Sequence, residues 1–483
     1  MDIASYSDIY HAVLATGLAL AYVLSVPSAL EAILDARTAQ GAIAWAISLI
    51  AFAPISVPLY LVLGRSRFDG YLEQRDEVEA RARKVMQKNS GWVAQHVVAV
   101  TPQTPLYSSL FRLARMPATN GNKLELLIDG EATYNSIAAG MQAAQSYILF
   151  QFYILRDDEV GRRLGEVLAA KAAEGVEVFV LYDEIGSHQF PGSLLHRRLQ
   201  KAGVKLAPFN TTQGRRNRFQ INFRNHRKNV VVDGHTAWIG GLNVGEEYLG
   251  RDKRMGYWRD THASVSGPAA RAAEMAFITD WHWATRSPLG LEHGEDPPLK
   301  GSSKVLIFPS DPASEYEEAG LMYHQVIVAA RRSIWIASPY FVPDNAIVSA
   351  LQLAALRGVD VRIILPAKTD NIVVGLAKWT YINMLLPAGV KVYLYRQGFM
   401  HQKVFLMDDT FAGVGTANCD NRSFRLNFEI TLLAEDEAFA RSVRSMLEED
   451  LSNCTELSPE DIQDRSVGFH LATGIARLFS PLL

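Results

Sequence analysis

The sequence predicts an α/β protein in which two similar domains pack together behind an N-terminal hairpin of two transmembrane helices. Two long, almost uncharged stretches stand near the start of the chain. Apolar strands alternate with helical stretches over the remainder, and one short motif occurs twice with the same spacing. The chain has 483 residues, 48% of them hydrophobic, which is enough for more than one unit with its own core.

The two N-terminal stretches are each long enough to cross a membrane as a helix, which takes about 20 residues. The first is centred on residues 9–26, and the second, 38–64, carries no charge. Pro54 and Pro58 in the second stretch are compatible with a kinked membrane helix. A cleaved signal peptide fits the first stretch poorly, because no Lys or Arg precedes Arg37. A buried hairpin of a soluble domain would be unusual for so long an uncharged run.

Basic residues follow the second stretch closely and predict the orientation of the chain. Six lie between residues 65 and 84, whereas the link between the two stretches has only Arg37. By the positive-inside rule, the large C-terminal part faces the cytoplasm in a multi-pass protein. The expected domains are two transmembrane helices in 1–66, a charged helical connector in 67–120, and two repeated domains in 121–297 and 298–483.

The rest of the chain repeats one order of elements. Each half is predicted to contain a strand, a helix and a second strand, at 147–153, 159–174 and 175–181 in the first half and at 333–337, 344–357 and 358–365 in the second. In both halves a glycine, Gly203 or Gly389, separates a helix from a β-branched strand. Units repeated in the same order indicate two similar α/β domains.

One histidine motif occurs in each half with the identical spacing His-x-Lys-x4-Asp-x6-Gly-x2-Asn. Its members are His226, Lys228, Asp233 and Asn243 in the first half, and His401, Lys403, Asp408 and Asn418 in the second. A lone His-x-Lys would mean little, but two copies at the same place in a structural repeat are a strong signal. Residues i and i+2 of a strand share a face, so the histidine and lysine of each copy are expected to point the same way.

Two such pairs brought together would suit the chemistry of a phosphate diester. Lysines and asparagines offer donors to its non-bridging oxygens. One histidine can attack phosphorus, while the other protonates the departing alkoxide and later deprotonates the incoming alcohol. The lysines supply positive charge, so no metal or other cofactor is expected. The candidate catalytic residues are His226, Lys228, Asp233, His401, Lys403 and Asp408, and the candidate phosphate ligands are Asn243 and Asn418.

An attacking imidazole needs its second nitrogen held, and a carboxylate is the usual partner. Glu429, shortly after the second motif, and Asp260, at a comparable place after the first, are the predicted orienting carboxylates. For Asp260 an ordinary surface salt bridge with Arg259 or Arg254 is an equal alternative. The two motif aspartates stand seven residues from their histidines, an odd offset that leaves a structural role open for both.

The duplicated motif resembles that of the phospholipase D superfamily over residues 122–449, and most closely that of its bacterial cardiolipin synthases. Residues 44–65, 70–73, 245–250, 258–262 and 476–483 carry the narrower resemblance. It implies two phospholipase-D-like domains that transfer a phosphatidyl group between two phosphatidylglycerols, releasing glycerol, through a phosphohistidine. In the superfamily the first histidine is commonly the nucleophile and the second the acid, which implies His226 and His401. The position held here by Gly241 in the first copy and by Thr416 in the second is often Ser in the family. Thr416 keeps a hydroxyl at this position, and Gly241 does not.

The expected partners are therefore membrane phospholipids, phosphatidylglycerol and cardiolipin, in the bacterial cytoplasmic (inner) membrane. A nucleic-acid partner is not expected, because the net charge is −3. A phospholipase-D-type phosphodiesterase that hydrolyses phospholipid is the alternative function. A scaffold with a decayed site is disfavoured, because both motifs are complete. Phosphatidylethanolamine as acceptor and the oligomeric state stay open.

Two further segments have predicted contacts. A basic cluster just before and within the first motif is interpreted as a contact with anionic lipid, and it consists of Arg215, Arg216, Arg218, Arg224 and Arg227. The mostly apolar segment 467–483 either lies on a membrane or packs on the domain, and packing is the prediction adopted.

Overall fold

A computed structural model describes two compact units of the chain. The described residues are 3–64, 68–77, 91–99, 105–212, 221–252, 255–291, 296, 299 and 301–483. One unit comprises Met1–Tyr71 with Thr211–Phe223, and the other comprises Leu72–Asn210 with Arg224–Leu483. Both motifs and both halves of the repeat belong to the second unit, which is called the catalytic unit below. The domain boundaries at residues 66, 120 and 297 remain predictions.

Within the described residues, the N-terminal unit contains a single helix long and apolar enough to span a membrane. It is Ile3–Asp35, of which Ile9–Asp35 has a mean hydropathy of 1.8. The second predicted span is divided into the helices Ala39–Ala51 and Ala53–Leu59 and the π-helical turn Tyr60–Gly64. This corrects the prediction of two spanning helices, and a multi-pass topology is not supported.

The break in the second stretch has a local cause. Phe52 leaves the helical conformation, with φ −132° and ψ 42°. Pro54 follows two residues later, where it has no amide proton to donate and its ring would clash with the carbonyl four residues before it. A proline is tolerated in the first turn of a helix, so a new helix begins at Ala53.

Much of the predicted connector lies outside the described residues. Its described part includes the helices Gly91–His96 and Pro105–Ala114. Residues 65–67 and 78–90 are not described, and they contain most of the basic residues that set the predicted orientation. The continuous helical connector and the cytoplasmic orientation therefore remain predictions.

The catalytic unit is built on strands from both halves of the repeat. The strands of the first half are β1 Thr119–Ile128, β2 Tyr147–Phe152, β3 Glu177–Asp183, β4 Lys205–Phe209, β5 Arg224–Asn225, β6 Asn229–Val232, β7 Thr236–Gly240, β8 Trp258–Arg259 and β9 Thr261–Ser266. Those of the second half are β10 Ser303–Ser310, β11 Ser333–Ala337, β12 Phe341–Val342, β13 Asp360–Pro366, β14 Lys391–Tyr395, β15 Phe399–Met400, β16 Val404–Met407, β17 Phe411–Gly415, β18 Cys419–Asp420, β19 Asn427–Glu435 and β20 Cys454–Glu456.

The order of these strands repeats about the middle of one mixed sheet. The first half runs β4-β3-β2-β6-β7-β9-β1, and the second runs β10-β19-β17-β16-β11-β13-β14-β20. β1 and β10 join the halves as antiparallel neighbours. In each half the strands β2, β3 and β4, or β11, β13 and β14, are parallel, and the strands that carry the motif are antiparallel to them. The predicted α/β repeat is confirmed.

Helices follow the strands in the same order in both halves. They are Asp129–Gln142, Glu159–Ala173, Leu194–Lys201 and Ala269–Thr285 in the first half, and Glu318–Ala329, Asn345–Leu356, Ile372–Leu385 and Glu437–Ser452 in the second. Other helical elements are Asn421–Arg425, Glu460–Gln463, Val467–Arg477, Glu246–Leu249, Leu386–Ala388 and Ser480–Leu482. Asp158 and Asp344 cap equivalent helices by accepting from the backbone amides of Gly161 and Ile347.

Each half has its own apolar core. Ile148 and Val178 are buried in the first, and Ile334 and Val361 occupy equivalent positions in the second. All six residues of β2 and all five of β11 are buried, because helices or loops cover both faces of these parallel strands. The two rigid cores fix the ends of the strands from which the motif residues emerge.

Candidate active site

Two short parallel strand pairs bring the two motifs together. β5 pairs with the start of β19 from the other half, and β15 pairs with β8 in the same way. His226 follows β5 directly, and its backbone amide donates to the carbonyl of Phe428 at 2.9 Å. His401 follows β15, and its amide donates to the carbonyl of Arg259 at 2.7 Å. Each histidine is therefore fixed at its backbone by a strand of the opposite half.

The two predicted carboxylates hold the two imidazoles crosswise. Nδ1 of His226 lies 2.9 Å from Oε2 and 3.1 Å from Oε1 of Glu429. Nδ1 of His401 lies 2.7 Å from Oδ2 of Asp260. Because Nδ1 of each ring is held, Nε2 is the nitrogen left for chemistry. Asp260 is fully buried, which excludes the alternative of a surface salt bridge for this residue.

Neighbouring donors keep both carboxylates in place and ionised. Glu429 Oε1 accepts from Ser423 Oγ at 2.9 Å and from Asn427 Nδ2 at 3.0 Å, and Asp260 Oδ1 accepts from the amide of Thr261 at 2.8 Å. Burial acts to raise the pKa of each carboxyl, but the interactions with the neighbouring histidine and lysine, including the hydrogen bond to the imidazole, outweigh burial. The pKa of both carboxyls therefore lies below its ordinary value.

The two histidines are neutral at neutral pH. Burial lowers the pKa of His226 to about 4, and the attraction of Glu429 only partly opposes this effect. Burial, followed by the charge of Lys403, lowers the pKa of His401 to about 4 as well. A neutral imidazole can attack phosphorus without first losing a proton.

The lysines of the two motifs lie against their own histidines, but not in the same way. Lys228 Nζ donates to the carbonyl of His226 at 2.8 Å and lies 5.4 Å from the centre of the Tyr153 ring. Lys403 Nζ donates to the carbonyl of His401 and also lies 2.9 Å from Nδ1 and 3.1 Å from Nε2 of its ring. Burial lowers the pKa of both ammonium groups, that of Lys403 to about 8.

Aromatic rings surround the second histidine. The centres of the Trp258, Phe399 and Tyr340 rings lie 5.2, 5.7 and 6.3 Å from that of His401. These rings exclude water and account for much of the burial that keeps the imidazole neutral. These rings were not predicted to be site residues, although Trp258 stands two residues before Asp260 and Phe399 two before His401.

The two motif asparagines have different surroundings. Asn243 Oδ1 accepts from the amide of Ile154 at 3.1 Å, and its Nδ2 donates to the hydroxyl of Tyr248 at 2.9 Å. Asn418 Oδ1 is buried and has no hydrogen-bond partner among the residues that the structure describes. The predicted phosphate-binding role of Asn243 and Asn418 remains a prediction.

The motif aspartates do not reach the histidines. Asp233 follows β6, and its carboxylate accepts from the backbone amides of residues 145–147 at 2.8, 2.8 and 2.9 Å. Asp408 follows β16, and it accepts from the amides of residues 331–333 in the same way. Both have positive φ, 53° and 52°. We therefore correct the catalytic assignment of Asp233 and Asp408 to a structural one, in which each carboxylate anchors the start of a parallel strand.

We expect Asp233→Ala to destabilise the fold by about 2–4 kcal/mol, since it leaves three amides without their acceptor and alanine tolerates positive φ less well than aspartate. Asp233→Asn keeps an acceptor and tolerates that backbone conformation, so its effect should be smaller. Thermal inactivation of the purified protein measures the difference. A large loss of turnover at low temperature with unchanged thermal stability would show that Asp233 has a catalytic role.

The residue between histidine and lysine anchors each motif to a buried aspartate. Arg227 Nη1 lies 2.7 Å from Oδ1 of Asp280, and its Nε donates to the carbonyl of Glu429 at 3.0 Å. Arg227 is thus buried inside the unit, which corrects its assignment to a lipid contact. Residues 213–220 are not described, so Arg215, Arg216 and Arg218 of that cluster lie outside the described residues.

In the second half, different residues anchor the motif to a buried aspartate. Gln402 Nε2 donates to Asp450 Oδ2 at 2.7 Å, and the guanidinium that pairs with Asp450 is that of Arg259, at 2.6 Å. Asp450 and Asp280 lie on equivalent helices, yet the sequence analysis missed both. Their distance from the motif along the chain differs between the halves, so the repeat gives no signal for them.

Gly241 takes the place of the family's frequent serine for a steric reason. A Cβ at this position would lie 2.1 Å from Oδ1 of Asp260. Thr416, at the equivalent position in the second half, uses its hydroxyl to accept from the amide of Ile430 at 2.9 Å. The first copy therefore lacks a hydroxyl because the carboxylate that holds His401 occupies that space.

Comparison with known proteins agrees with this geometry. The family profile described as "Cardiolipin synthase, PLD-like domain" matches residues 137–270 and 323–451, one segment in each half. The protein is a phosphatidyltransferase of the phospholipase D superfamily. Cardiolipin synthase A of Pseudomonas entomophila (strain L48) is 44% identical over 470 residues, which cover 96% of this chain and 98% of that protein. Cardiolipin synthase A of Pseudomonas aeruginosa (strain LESB58) is 45% identical over 470 residues, which cover 95% and 94%. The chain belongs to the cardiolipin synthase family.

A solved structure supports the fold. The crystal structure of phosphatidylserine synthase from Haemophilus influenzae Rd KW20 superimposes with a TM-score of 0.59. It covers 78% of this chain and 100% of that chain, at 16% identity. At this level of identity the likeness supports the architecture of two repeated domains alone.

Proposed function

We propose that the protein makes cardiolipin by transferring a phosphatidyl group from one phosphatidylglycerol to another, through a phosphohistidine. The observation that carries the proposal is the crosswise pair of neutral imidazoles, each held at Nδ1 by a buried carboxylate of the opposite half. The relatives named cardiolipin synthase A support the choice of product. We place the enzyme in the bacterial inner membrane, where its phospholipid substrates are found.

In the first step, Nε2 of His226 attacks the phosphorus of one phosphatidylglycerol. The negative charge of the bound phosphodiester favours a proton on Nε2 of His401, which is neutral in the free site. The P–N bond forms as the bond from phosphorus to the headgroup glycerol breaks, and this glycerol leaves with that proton. Lys228 and Lys403 stabilise the negative charge that gathers on the non-bridging oxygens. Glu429 stabilises the positive charge that develops on His226 as it attacks.

In the second step, a hydroxyl of the headgroup glycerol of the second phosphatidylglycerol gives its proton to His401 and attacks the same phosphorus. The P–N bond breaks, the product is cardiolipin, and His226 returns to its neutral form. The proton that His401 gave to glycerol in the first step is thus replaced in the second. Exclusion of water by the rings around His401 favours the lipid alcohol over hydrolysis.

The roles of the two histidines are assigned from the superfamily resemblance, in which the first-motif histidine is commonly the nucleophile. Lys403 Nζ lies 2.9 Å from Nδ1 and 3.1 Å from Nε2 of His401, so it contacts the ring near both nitrogens and does not select one lone pair. His226 is therefore assigned the attack on phosphorus, and His401 the role of acid and base.

The pKa values predict the pH dependence of the first step. With a phosphatidyl ester of p-nitrophenol, whose leaving group needs no proton, the first-turnover rate should rise through about pH 4 as His226 becomes neutral. It should fall through about pH 8 as Lys403 loses its charge. In Lys403→Arg the rate should be lower but the alkaline fall should disappear, because a guanidinium stays charged. An alkaline fall of the same midpoint in this variant would exclude Lys403 as its source.

The proposed function is tested with the purified full chain in detergent and phosphatidylglycerol as the only lipid, with products followed by mass. Cardiolipin together with an equal amount of free glycerol is the expected result. Phosphatidic acid in place of cardiolipin would make the protein a phospholipase-D-type hydrolase and overturn the proposal. Cardiolipin formed only after phosphatidylethanolamine is added would show that transfer between two phosphatidylglycerols does not occur, and it would also overturn the proposal.

A further inference from the structure

One face of the helix Val467–Arg477 packs on the helix Ile372–Leu385. The ring of Phe469 lies 5.7 Å from that of Trp379, and Thr473 is buried one turn further along the same face. The predicted packing of this segment on the domain is confirmed by these contacts.

The opposite face of the same helix is also apolar, and it is exposed. Val467, Leu471 and Ile475 follow one another at intervals of four residues, and Leu478 extends the row. Their side chains are 84%, 64%, 51% and 78% exposed. A helix that is apolar on two opposite faces requires two apolar surroundings, and the catalytic unit supplies only one of them. This row of four residues is called the apolar ridge below.

The helix on which this one packs connects directly to the active site. Ile372 and Val373 at its first turn are themselves exposed. Two residues before Ile372, Asp370 accepts from the hydroxyl of Tyr340 at 2.6 Å. The Tyr340 ring lies 6.3 Å from that of His401. Exposed apolar side chains therefore begin a few residues from a ring that lines the reacting histidine.

Positive charges accompany the exposed apolar residues. Lys368 lies four residues before Ile372, Arg465 lies two before Val467, and Arg477 lies between Ile475 and Leu478. The side chains of these three basic residues are exposed, and so are those of the acidic Asp461 and Asp464, just before the helix. Apolar side chains that enter the acyl boundary, flanked by cations at the level of the headgroups, are typical of a helix that lies on an anionic bilayer.

We propose that the apolar ridge is the surface through which the catalytic unit docks on an anionic lipid bilayer. The ridge enters the interface beside the active site, so that phosphatidylglycerol reaches His226 and His401 without leaving the membrane. This inference rests on the proposed function for the identity of the lipid, although the docking itself does not depend on catalysis.

A fluorescent probe at one residue measures this contact in the full chain. Leu471→Cys in a Cys454→Ser background is labelled with an environment-sensitive dye, since the remaining Cys419 is buried. The matched control is Arg441→Cys, whose native side chain is 66% exposed on another helix of the same unit. Both proteins are reconstituted in vesicles of phosphatidylglycerol and phosphatidylethanolamine that contain lipids with quenchers on the acyl chains.

The expected result is strong quenching at residue 471 and none at residue 441. Because the dye reports depth at one position, membrane attachment through another part of the chain does not produce this signal. Equal quenching at both positions would overturn the proposal, and so would a dye at 471 that is shielded by a second copy of the chain without being quenched. Failure to make cardiolipin with quenching intact would overturn the proposed function and leave the docking surface in place.

A variant of the ridge tests its consequence for turnover. Leu471→Ser, Ile475→Ser and Leu478→Ser together should lower activity on phosphatidylglycerol in vesicles about tenfold or more, because three apolar side chains no longer enter the interface. Activity on dispersed short-chain phosphatidylglycerol should stay unchanged, which also shows that the variant folds. Equal activity of variant and native protein on vesicles would overturn the proposal.

Discussion

Replacement of His226 with glutamine should lower cardiolipin formation by about 10⁴- to 10⁶-fold, since it removes the atom that forms the covalent bond to phosphorus. Glutamine keeps much of the volume and polarity of the imidazole, so the fold should persist. The measurement is cardiolipin formed from phosphatidylglycerol, together with the label retained on the denatured protein when the phosphorus is radioactive. Native protein should retain label, and His226→Gln should not.

A matched control uses a histidine outside the site. His188 is exposed in the first half, and its Nδ1 lies 3.0 Å from a local carbonyl, that of Ile185. His188→Gln should leave both product formation and label retention unchanged. Full activity in His226→Gln would contradict the covalent mechanism as assigned here.

A comparison of two substrates with different leaving groups distinguishes the roles of the two histidines. His401→Gln should lose most activity on phosphatidylglycerol, because glycerol cannot depart without a proton. The p-nitrophenyl ester needs no such proton, so His401→Gln should still release one equivalent of nitrophenol in the first turnover. His226→Gln should release none. The reverse pattern would exchange the roles of His226 and His401.

The chemistry of the site could be predicted from the sequence because it resides in a repeated motif. The common spacing identified both histidines and both lysines, and the resemblance to a known family implied how such residues act. The helix and strand boundaries of the repeat were also predictable, since glycines such as Gly175 and Gly358 end helices at positive φ, 93° and 87°.

The pairing of residues between the halves could not be predicted. Glu429 holds a histidine more than two hundred positions away in the sequence, and only the short strand pairs β5–β19 and β8–β15 place it there. Strands of two residues carry no periodicity for a sequence pattern to reveal. The buried anchors Asp280 and Asp450 were missed for a related reason, because a charged residue on a helix is more often on its solvated face.

The N-terminal stretches show where composition alone misleads. The second stretch is apolar over a length sufficient for a span, and this predicted a second transmembrane helix. Length and hydropathy do not report continuity of the helix, which ends near Phe52 because Pro54 follows. A hydropathy pattern predicts burial in an apolar medium more reliably than it predicts one unbroken element.

Replacement of either of the crosswise carboxylates is also expected to lower turnover strongly. Glu429→Gln and Asp260→Asn should each lower turnover on phosphatidylglycerol by about 10³- to 10⁴-fold, because a neutral amide no longer fixes the tautomer or stabilises the charged imidazole. Gln and Asn nearly preserve size, so the buried strands around them should persist. The measurement is the steady-state rate of cardiolipin formation, with thermal stability as the check on folding.

The first-turnover release of nitrophenol then shows which carboxylate serves which histidine. Glu429→Gln is expected to behave like His226→Gln and lose the release, whereas Asp260→Asn is expected to behave like His401→Gln and keep it. The variant of each carboxylate would then behave like the variant of the histidine in the opposite half. In the sequence, however, each carboxylate is closer to the histidine of its own half. The opposite grouping would mean that each domain completes its own histidine. Neither domain could act alone under the crosswise arrangement, which explains why both copies of the motif keep their histidine and lysine.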